Sequence, residues 1–386
     1  MRIALLIELA PRKLGSLENW IVAFAAEARH RGHQVDVFGR EPVHADVARA
    51  LRDMGAGWDT LDTLMRHPVA AARRLARGYD VLHLDLFPFT PRDPIVRIAL
   101  AAWPARVLFV DHNSGVDVFD AAPSAPLPGW RRVARRWLGQ LTALRVAGIA
   151  GVSDYVRRRE GERFGLGSPF VRTIYNGVDV ARFARASPAG DAHAHAEREA
   201  VDGRHHAGGR GIRIAAVAYL IPGKGIDVLL RAVADAGLAN ATVVIAGEGP
   251  EEPRLRALAA SLGIAPRVEF VGVRDDVDAV LHSADIFVHP ARYDEAFGLV
   301  VTEAMAAGCT VIASRVGGIP ELIVDGESGV LVPPGDAGAL AAALARVAAD
   351  PALRRSLSAN ARRRVVTRFA LDDSVRRHVD WCEEVR

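Results

Sequence analysis

The chain contains 386 residues with a mass of 41.4 kDa, too many for one ordinary hydrophobic core, so two domains are expected. Half of the residues are hydrophobic and 25% are charged, which excludes a largely disordered protein. The 49 basic and 46 acidic residues leave a net charge of only +3, so nothing indicates a nucleic-acid partner. Because Cys309 and Cys382 are the only cysteines, we expect neither a disulfide framework nor a thiolate zinc site.

The first apolar run, Met1–Leu9, contains Glu8 and is followed by no cleavage signal. It therefore predicts a first β-strand rather than a targeting segment. No later run reaches the roughly 18 uninterrupted apolar residues of a membrane span. A cytoplasmic protein is expected.

Short apolar runs alternate with amphipathic stretches, a pattern typical of parallel sheets covered by helices. The strands predicted in the first half are Ile3–Ile7, Gln34–Phe38, Val81–Leu84, Val107–Val110, Gly148–Val152 and Val171–Ile174. Those in the second half are Ile212–Val217, Thr242–Ala246, Val268–Val271, Ile286–His289 and Val311–Ala313. The predicted helices are Leu17–Arg31, Trp130–Leu144, Ile226–Ala236, Glu251–Leu262, Gly298–Ala307, Ala337–Ala349, Ala352–Arg368 and Leu371–Glu384. This order predicts two Rossmann-like domains in series.

A break in the pattern sets the domain boundaries. Residues 184–211 are rich in Ala, Gly, His, Asp and Arg and lack apolar periodicity, so they cannot bury a core. The predicted parts of the chain are an N-terminal domain (1–178), a flexible linker or insertion (179–211), a C-terminal domain (212–370) and a helix that packs back toward the N-terminal domain (371–386). Because no thiolate or ordered scaffold accompanies them, the linker histidines predict a solvated loop rather than a metal site. They are His193, His195, His205 and His206.

Residues 285–321 carry the pattern with the clearest chemical meaning. A strand ending at His289 leads into a loop with Glu295 and Gly298, and then into a helix that contains Glu303. The N-terminus of such a helix presents unpaired N–H groups and a positive dipole end, which suit a diphosphate. Gly298 would let the backbone approach the phosphates, and Glu303, roughly 7–8 Å along the helix, would reach a ribose. Glu295 would face the sugar.

Two further loops belong to the same predicted site. Lys224 lies between two glycines in a strand-to-helix loop, where its ammonium can neutralise phosphate charge. Lys224 and Lys13, which precedes Gly15 by two residues, are the only lysines among the 49 basic residues. The turn at Gly317–Glu321 offers a third loop whose backbone could meet a ligand. Any one of these features alone is explained by solvated charges and chain turns, but their joint order and spacing favour a site.

Glu295 and Glu303 form an E-x7-E motif, Glu-Ala-Phe-Gly-Leu-Val-Val-Thr-Glu, which Ala304-Met305-Ala306 follows. The chain also contains Asn176-Gly-Val-Asp179, Gly151-Val-Ser153, Lys224-Gly225, Gly247-Glu-Gly249 and Gly318-Ile-Pro-Glu321. With these motifs the chain resembles the retaining GT-B glycosyltransferases of family GT4, weakly before residue 150 and strongly after residue 212. The resemblance implies an α/β, GT-B fold in which two Rossmann-like parallel-sheet domains face each other across a cleft.

The resemblance further implies transfer of a sugar, with retention and without a metal or cofactor, from a nucleoside diphosphate to a glycan, lipid-linked or small-molecule acceptor, as in polysaccharide biosynthesis. The donor would bind the C-terminal domain and the acceptor the N-terminal domain. Glu295, His112 and Lys224 would be catalytic, and the leaving diphosphate would accept the proton of the acceptor. The implied donor-binding residues are Lys224, Glu303, Glu295, Phe297, Gly298, Leu299, Gly15, Lys13, Tyr219, Gly247, Gly249 and Val271.

Two positions need separate explanations. The family usually has an arginine about five residues before the lysine, whereas this chain has Tyr219, which brings no charge at neutral pH. Lys13, Arg292 or another arginine would then supply the second cation for the diphosphate. The single Asp-x-Asp sequence, Asp276-Val-Asp278, is better explained by helix capping than by a metal-dependent glycosyltransferase.

The helix predicted at Trp130–Leu144 is amphipathic. Its apolar face carries Trp130, Val133, Ala134, Trp137, Leu138, Leu141 and Leu144, and another face carries Arg131, Arg132, Arg135 and Arg136. Such a helix could rest on the inner face of an anionic membrane. A helix that covers the sheet of the N-terminal domain explains the same pattern and is the favoured interpretation.

Other functions remain open for such a chain. A phosphorylase needs a lysine that binds pyridoxal phosphate, and both lysines are better placed for phosphate loops. A nucleotide-sugar 2-epimerase would release an altered donor without using an acceptor. A non-catalytic sugar-nucleotide-binding protein would be consistent with Tyr219, although Glu295, Lys224 and His112 argue against it. The sequence does not identify the base, the sugar or the acceptor. It does not predict the oligomeric state either.

Overall fold

The computed structural model describes residues 1–10, 15–86, 92–112, 129–167, 170–184 and 211–386. These residues form two compact units. The first unit contains the described residues up to Gly177 together with Leu371–Arg386, and the second contains those between Val178 and Ala370. None of the helices in the described part of the chain is long and apolar enough to cross a membrane.

The first unit is built on a parallel sheet with the strand order β3-β2-β1-β4-β5-β6-β7. Its strands are β1 (Arg2–Ile7), β2 (Gln34–Gly39), β3 (Gly57–Thr60), β4 (Val81–Asp85), β5 (Arg106–Asp111), β6 (Gly148–Gly151) and β7 (Val171–Thr173). Strand β4 is buried at every position and β1 at all but its first, as expected for central strands of a sheet that is covered on both faces.

The helices of the first unit include the C-terminal helix of the chain. They are α1 (Ser16–His30), α2 (Ala45–Asp53), α3 (Leu61–Arg66), α4 (Pro68–Gly78), α5 (Pro94–Ala101), α6 (Gly129–Ala143), α7 (Asp154–Phe164) and α16 (Leu371–Glu384). Helix α16 packs against α1 and buries Trp381. In the same core, the ring nitrogens His83 Nε2 and His378 Nδ1 lie 3.1 Å apart. These contacts tie the end of the chain to the first sheet.

The second unit is built on a parallel sheet with the order β10-β9-β8-β11-β12-β13. Its strands are β8 (Arg213–Val217), β9 (Thr242–Ala246), β10 (Val268–Gly272), β11 (Ile286–His289), β12 (Thr310–Ser314) and β13 (Val330–Val332). Its helices are α8 (Val180–Phe183), α9 (Ile226–Asp235), α10 (Glu252–Ser261), α11 (Val277–Ser283), α12 (Leu299–Ala306), α13 (Ile319–Leu322), α14 (Ala337–Ala349) and α15 (Pro351–Arg368). Strand β8 lies between β9 and β11, so the strand order reverses beside it. Ligands of open α/β sheets bind at such a reversal.

The predicted architecture of two parallel α/β sheets is confirmed. Strand β3 was not predicted because it lies at a sheet edge and has no buried apolar run, and β13 because it is only three residues long. Helix α8, whose Phe183 is buried, lies within the segment where the sequence predicts a linker. Residues 185–210, including the four linker histidines, lie outside the described residues.

Two motif residues have local roles as helix caps. The hydroxyl of Ser153 accepts a hydrogen bond from Val156 N at 3.2 Å at the start of α7. The carboxylate of Asp179 accepts one from Arg182 N at 3.0 Å at the start of α8. Such caps typically stabilise a helix by about 1 kcal/mol. Both residues therefore contribute to the fold as helix caps.

Helix α6 differs from the favoured interpretation of its sequence. Gly139 and Thr142 are buried, and a Cβ added to Gly139 would lie 2.1 Å from Phe164 Cδ1. The glycine therefore lets α6 pack closely on α7 through the side that carries these small residues. The apolar face with Trp130 and Trp137 is exposed, so the prediction that this face covers the sheet is wrong.

Candidate active site

The loops that follow β8 and β11 bring the two strongest sequence candidates together. Because these strands are parallel neighbours, their carboxyl ends lie at the same edge of the sheet. The Lys224 ammonium lies 2.5 Å from Glu295 Oε1. Both side chains are largely buried, with 19% and 15% of their surface exposed. The sequence places both residues in one predicted site, and within the second unit they are in direct contact.

Two residues that the sequence analysis did not assign to the site complete this cluster. His289 ends β11, and its Nε2 lies 3.3 Å from the same Glu295 oxygen. The Lys224 ammonium lies 5.3 Å from the centre of the Tyr293 ring, within the range of a cation–π contact. We call Lys224, His289, Tyr293 and Glu295 the Lys–Glu cluster.

The electrostatics of the cluster keep both partners charged. Burial would raise the pKa of Glu295, but the hydrogen bond and charge of His289 and the charge of Lys224 outweigh it and lower the pKa to about 2. Burial would lower the pKa of Lys224, but Glu295 and Tyr293 raise it above its ordinary value. An ammonium has three donors, so pairing with Glu295 leaves Lys224 able to bind an anion as well.

The glycines beside Lys224 are required by close contacts. A Cβ at Gly223 would lie 1.6 Å from the Tyr293 ring, and one at Gly225 would lie 2.0 Å from the backbone oxygen of Pro290. Gly225 also has a φ of +68°, in the left-handed region that glycine adopts most readily. The two glycines therefore allow the loop after β8 to contact the loop after β11.

Alanine at Gly225 is expected to destabilise the protein, because the added Cβ collides with the main chain of Pro290. Gly263 provides a matched control, since its φ of +69° is nearly the same and nothing lies within 4 Å of a Cβ there. Each substitution carries a backbone penalty of about 1–2 kcal/mol. Urea denaturation should show a larger loss of unfolding free energy for Gly225→Ala than for Gly263→Ala. Equal losses for the two variants would contradict the close contact.

The segment before α12 is held by the turn after β12. Gly317 N donates a hydrogen bond of 2.9 Å to the Asp294 carboxylate, and Gly318 N donates one of 2.8 Å to Glu295 O. A Cβ at Gly317 would lie 2.1 Å from that same oxygen. The glycine turn predicted from the sequence thus fixes the backbone on which Glu295 is carried.

Helix α12 begins immediately after this segment. Gly298 precedes it with a φ of +101°, and the Phe297 side chain is buried in an edge-to-face contact with Phe369. Phe297 therefore anchors the loop, and only its backbone is available for a ligand. The first N–H groups of a helix have no intrahelical acceptor, so the start at Leu299 presents donors beside the Lys–Glu cluster. Glu303 lies half-buried in the second turn of the same helix.

Tyr219 stands in place of the usual arginine, and Arg292 is a described candidate to supply its charge. Tyr219 is exposed in the loop after β8. Arg292 lies in the loop after β11, where its guanidinium binds the Asp227 carboxylate at 2.7 Å and its backbone N–H binds Gly223 O at 2.8 Å. Arg292 is thus close to the Lys224 loop, although its charge is already paired. Lys13 lies outside the described residues.

Gly247 and Gly249 allow the loops after β8 and β9 to approach each other. A Cβ at Gly247 would lie 1.9 Å from Ala218 O, and one at Gly249 would lie 2.4 Å from Leu220 O. Gly247 N also donates a hydrogen bond of 2.7 Å to Gly272 O, next to the half-buried Val271 of β10. These predicted donor-binding residues therefore lie at the same edge of the sheet as Lys224.

The Asp-x-Asp sequence is explained by a surface ion pair. Asp276 precedes α11, but its carboxylate accepts bonds of 2.7 and 2.6 Å from Arg274 rather than from the helix backbone. The capping explanation is therefore wrong for Asp276. Within the described residues, no group of three or more His, Cys, Asp and Glu side chains could hold a metal ion.

The first unit contains the remaining candidates. His112 follows β5, and its Nε2 lies 2.7 Å from the carboxylate of Asp85, which ends β4 and is buried. Burial would raise the pKa of Asp85, but the charge and hydrogen bond of His112 lower it. Gly15 precedes α1, and its N–H donates a bond of 3.0 Å to the Glu18 carboxylate. Asp85 was missed by the sequence prediction because it ends an ordinary buried strand.

Two family models match the chain. The model described as glycosyl transferases group 1 matches residues 198–364, and that of glycosyltransferase family 4 matches residues 17–182. A phosphatidyl-myo-inositol mannosyltransferase of Mycolicibacterium smegmatis is 30% identical over 365 residues, which cover 91% of this chain and 86% of that protein. The chain belongs to the group 1 glycosyltransferases of family 4.

Other relatives agree with this family. A D-inositol 3-phosphate glycosyltransferase of Saccharomonospora viridis is 40% identical over 205 residues, covering 50% of this chain and 45% of that protein. The crystal structure of Anabaena HepE in complex with UDP has a TM-score of 0.78 and 20% identity, and covers both chains fully. The complex of HepE with UDP-glucose has a TM-score of 0.77 and 19% identity over the full length of both chains. These likenesses confirm the GT-B fold of this group 1 glycosyltransferase.

Proposed function

We propose that this glycosyltransferase transfers a sugar, with retention and without a metal, from a nucleoside diphosphate to a lipid-linked, glycan or small-molecule acceptor. The observation that carries the proposal is the Lys–Glu cluster beside the N-terminus of α12. A cation and backbone donors suit a diphosphate, and a carboxylate beside them suits sugar hydroxyls. The complexes of HepE with UDP and UDP-glucose support a nucleotide-sugar donor.

Most of the donor-binding residues that the resemblance implies have a place in this proposal. Lys224 and the backbone N–H groups at Gly298 and Leu299 bind the diphosphate, and Glu303 accepts hydrogen bonds from the ribose. Glu295 holds the sugar hydroxyls while it keeps the Lys224 ammonium in position. The loops around Gly247, Gly249 and Val271, together with Tyr219, form the side that the base contacts.

The chemical step fits a front-face displacement. The bond from the anomeric carbon to the diphosphate oxygen breaks, and the bond to the acceptor oxygen forms on the same face of the sugar. The proton of the acceptor hydroxyl moves to the leaving diphosphate, so no separate base is needed. Negative charge then grows on the diphosphate, and Lys224 with the start of α12 stabilises it.

The proposal assigns the acceptor to the first unit, where His112 is held by the buried Asp85 carboxylate. By their names, the relatives act on phosphatidyl-myo-inositol and on D-inositol 3-phosphate, which supports a lipid or a small polyol as acceptor. The same names support transfer over the alternatives of an epimerase or a binding protein. Peripheral contact with an anionic membrane belongs to this proposal.

A thermal-shift screen of UDP, GDP, ADP and dTDP tests the donor class. A nucleotide at about 100 times its Kd stabilises a protein by about 2.7 kcal/mol, which should raise the Tm by about 5 °C or more. We expect one nucleotide to do so, both with and without EDTA, and proton NMR of the first product to show the anomeric configuration of the donor. The proposal fails if no nucleotide raises the Tm, if EDTA abolishes the shift, or if the configuration inverts.

A further inference from the structure

Several large apolar side chains on and near α6 are exposed in the first unit. Trp130 and Trp137 of α6 are 68% and 64% exposed, and Leu144, just after the helix, is 79% exposed. Trp103, which follows α5, is 65% exposed. We call this set the apolar surface, and its members are Trp103, Trp130, Val133, Trp137, Leu138, Leu141 and Leu144.

The packing of α6 explains why this face is outward. At about 100° per residue, Trp130 and Gly139 lie on opposite sides of the helix. The Gly139 side packs against Phe164 of α7, where a Cβ would lie only 2.1 Å from the ring. The hydroxyl of Thr142, on the same buried side, binds Leu138 O at 2.8 Å. Helix α6 therefore packs on α7 through small residues, and its large apolar side chains are exposed to solvent.

Trp103 joins this surface through an arginine next to the end of α6. The Arg145 guanidinium lies 4.9 Å from the centre of the Trp103 ring and donates a hydrogen bond of 2.8 Å to Leu100 O. A tryptophan with a cation over its ring is suited to the headgroup level of a bilayer, where the ring is partly buried and the cation meets lipid phosphate.

Charge favours lipid over a protein partner. The sequence of α6 contains four arginines and no acidic residue between Gly129 and Ala143. A helix with tryptophan and leucine on one face and arginine on another is typical of helices that lie in the plane of a membrane interface.

We propose that the apolar surface docks onto a bilayer that contains anionic lipids, with Trp103, Trp130 and Trp137 at the headgroup level. This inference deepens the proposed function, since it places the enzyme where a lipid-linked acceptor would be. It uses no residue of the Lys–Glu cluster, so the two proposals can fail separately.

Sedimentation of the full-length chain with vesicles tests the surface. The vesicles contain either phosphatidylcholine alone or phosphatidylcholine with phosphatidylglycerol, at about 0.01 M and about 1 M salt, where the Debye length is about 30 Å and 3 Å. We expect strong binding to the anionic vesicles at low salt, weaker binding at high salt, and little binding to the neutral vesicles. A chain that stays in the supernatant with anionic vesicles at low salt would overturn the proposal.

Matched variants separate docking from folding. The triple variant Trp130→Ser, Trp137→Ser, Leu141→Ser should bind anionic vesicles at least ~10-fold more weakly, because the apolar area that enters the bilayer is lost. Val69→Ser, at an exposed valine of α4 in the same unit, should bind like the wild type. Both variants should keep the wild-type Tm and its nucleotide-induced rise, which shows that the fold and donor site are intact.

Two further results would overturn the lipid assignment. One is a triple variant that is folded and binds vesicles as well as the wild type. The other combines two observations: the wild type does not bind vesicles, and in sedimentation equilibrium the wild type is a dimer whereas the triple variant is a monomer. The apolar surface would then join two copies of the chain.

Discussion

Alanine at Lys224 is expected to lower kcat/KM for sugar transfer by about 10²–10³-fold, the usual effect of removing one group that stabilises charge in a transition state. The substitution removes the ammonium from the Lys–Glu cluster and leaves Glu295 as a buried carboxylate. That carboxylate would then repel the diphosphate that Lys224 is proposed to bind. Initial rates with the donor found by the nucleotide screen measure the effect.

Two controls make the Lys224 result specific. Arg256→Ala removes a cation from an exposed ion pair on α10, and such pairs contribute little, so activity should stay at the wild-type level. Lys224→Arg keeps the charge but puts a planar guanidinium in a tight pocket, and it should recover only part of the rate. Activity of Lys224→Ala within a few-fold of wild type, in a folded protein, would refute the assignment of Lys224.

Glutamine at Glu295 is expected to lower kcat by about 100-fold while the protein stays folded. The amide has nearly the shape of the carboxylate but carries no charge, so its oxygen accepts only weaker hydrogen bonds from the Lys224 ammonium and from sugar hydroxyls. Steady-state kinetics with the identified donor give the loss, and circular dichroism checks the fold. Glu252→Gln, in the surface pair with Arg256, is the control and should leave kcat unchanged.

The same variant should show a pH-dependent loss of stability. The pKa of Glu295 falls from its ordinary 4.5 to about 2, so the folded state stabilises the carboxylate by up to about 3 kcal/mol at pH 7. This stability is fully present above the unfolded pKa and is lost as the pH falls through the folded one. The free energy of unfolding of wild type and Glu295→Gln should therefore differ at pH 7 and converge between about pH 4.5 and 2. A constant difference would contradict the ion pairing.

The fold was predictable where the local sequence pattern shows which residues are buried. Central strands such as β1 and β4 are continuous apolar runs, and helices such as α14 (Ala337–Ala349) have clear periodicity. Strand β3 lacks such a signal because its edge position leaves it half exposed. The helical period of a sequence also shows that a helix has an apolar face, but not whether that face packs against the sheet or lies in solvent. The face of α6 was misinterpreted for that reason.

The candidate site was predictable where chemistry is tied to spacing along the chain. Lys224 between glycines and Glu295 before a helix could be picked out, and the structure brings them into contact. His289 and Tyr293 could not, because their contribution depends on how two loops meet in space. The same holds for Asp85, whose partner His112 directly follows the neighbouring strand β5. The roles of these residues in catalysis remain predictions.

A crystal structure of the chain with the stabilising nucleoside diphosphate tests the central claim most directly. The account predicts the diphosphate within hydrogen-bonding distance, about 3 Å, of Lys224 Nζ and of backbone N–H groups at the start of α12, with Glu303 at the ribose. A nucleotide bound elsewhere, with the contact between Lys224 and Glu295 unchanged and the start of α12 empty, would contradict it.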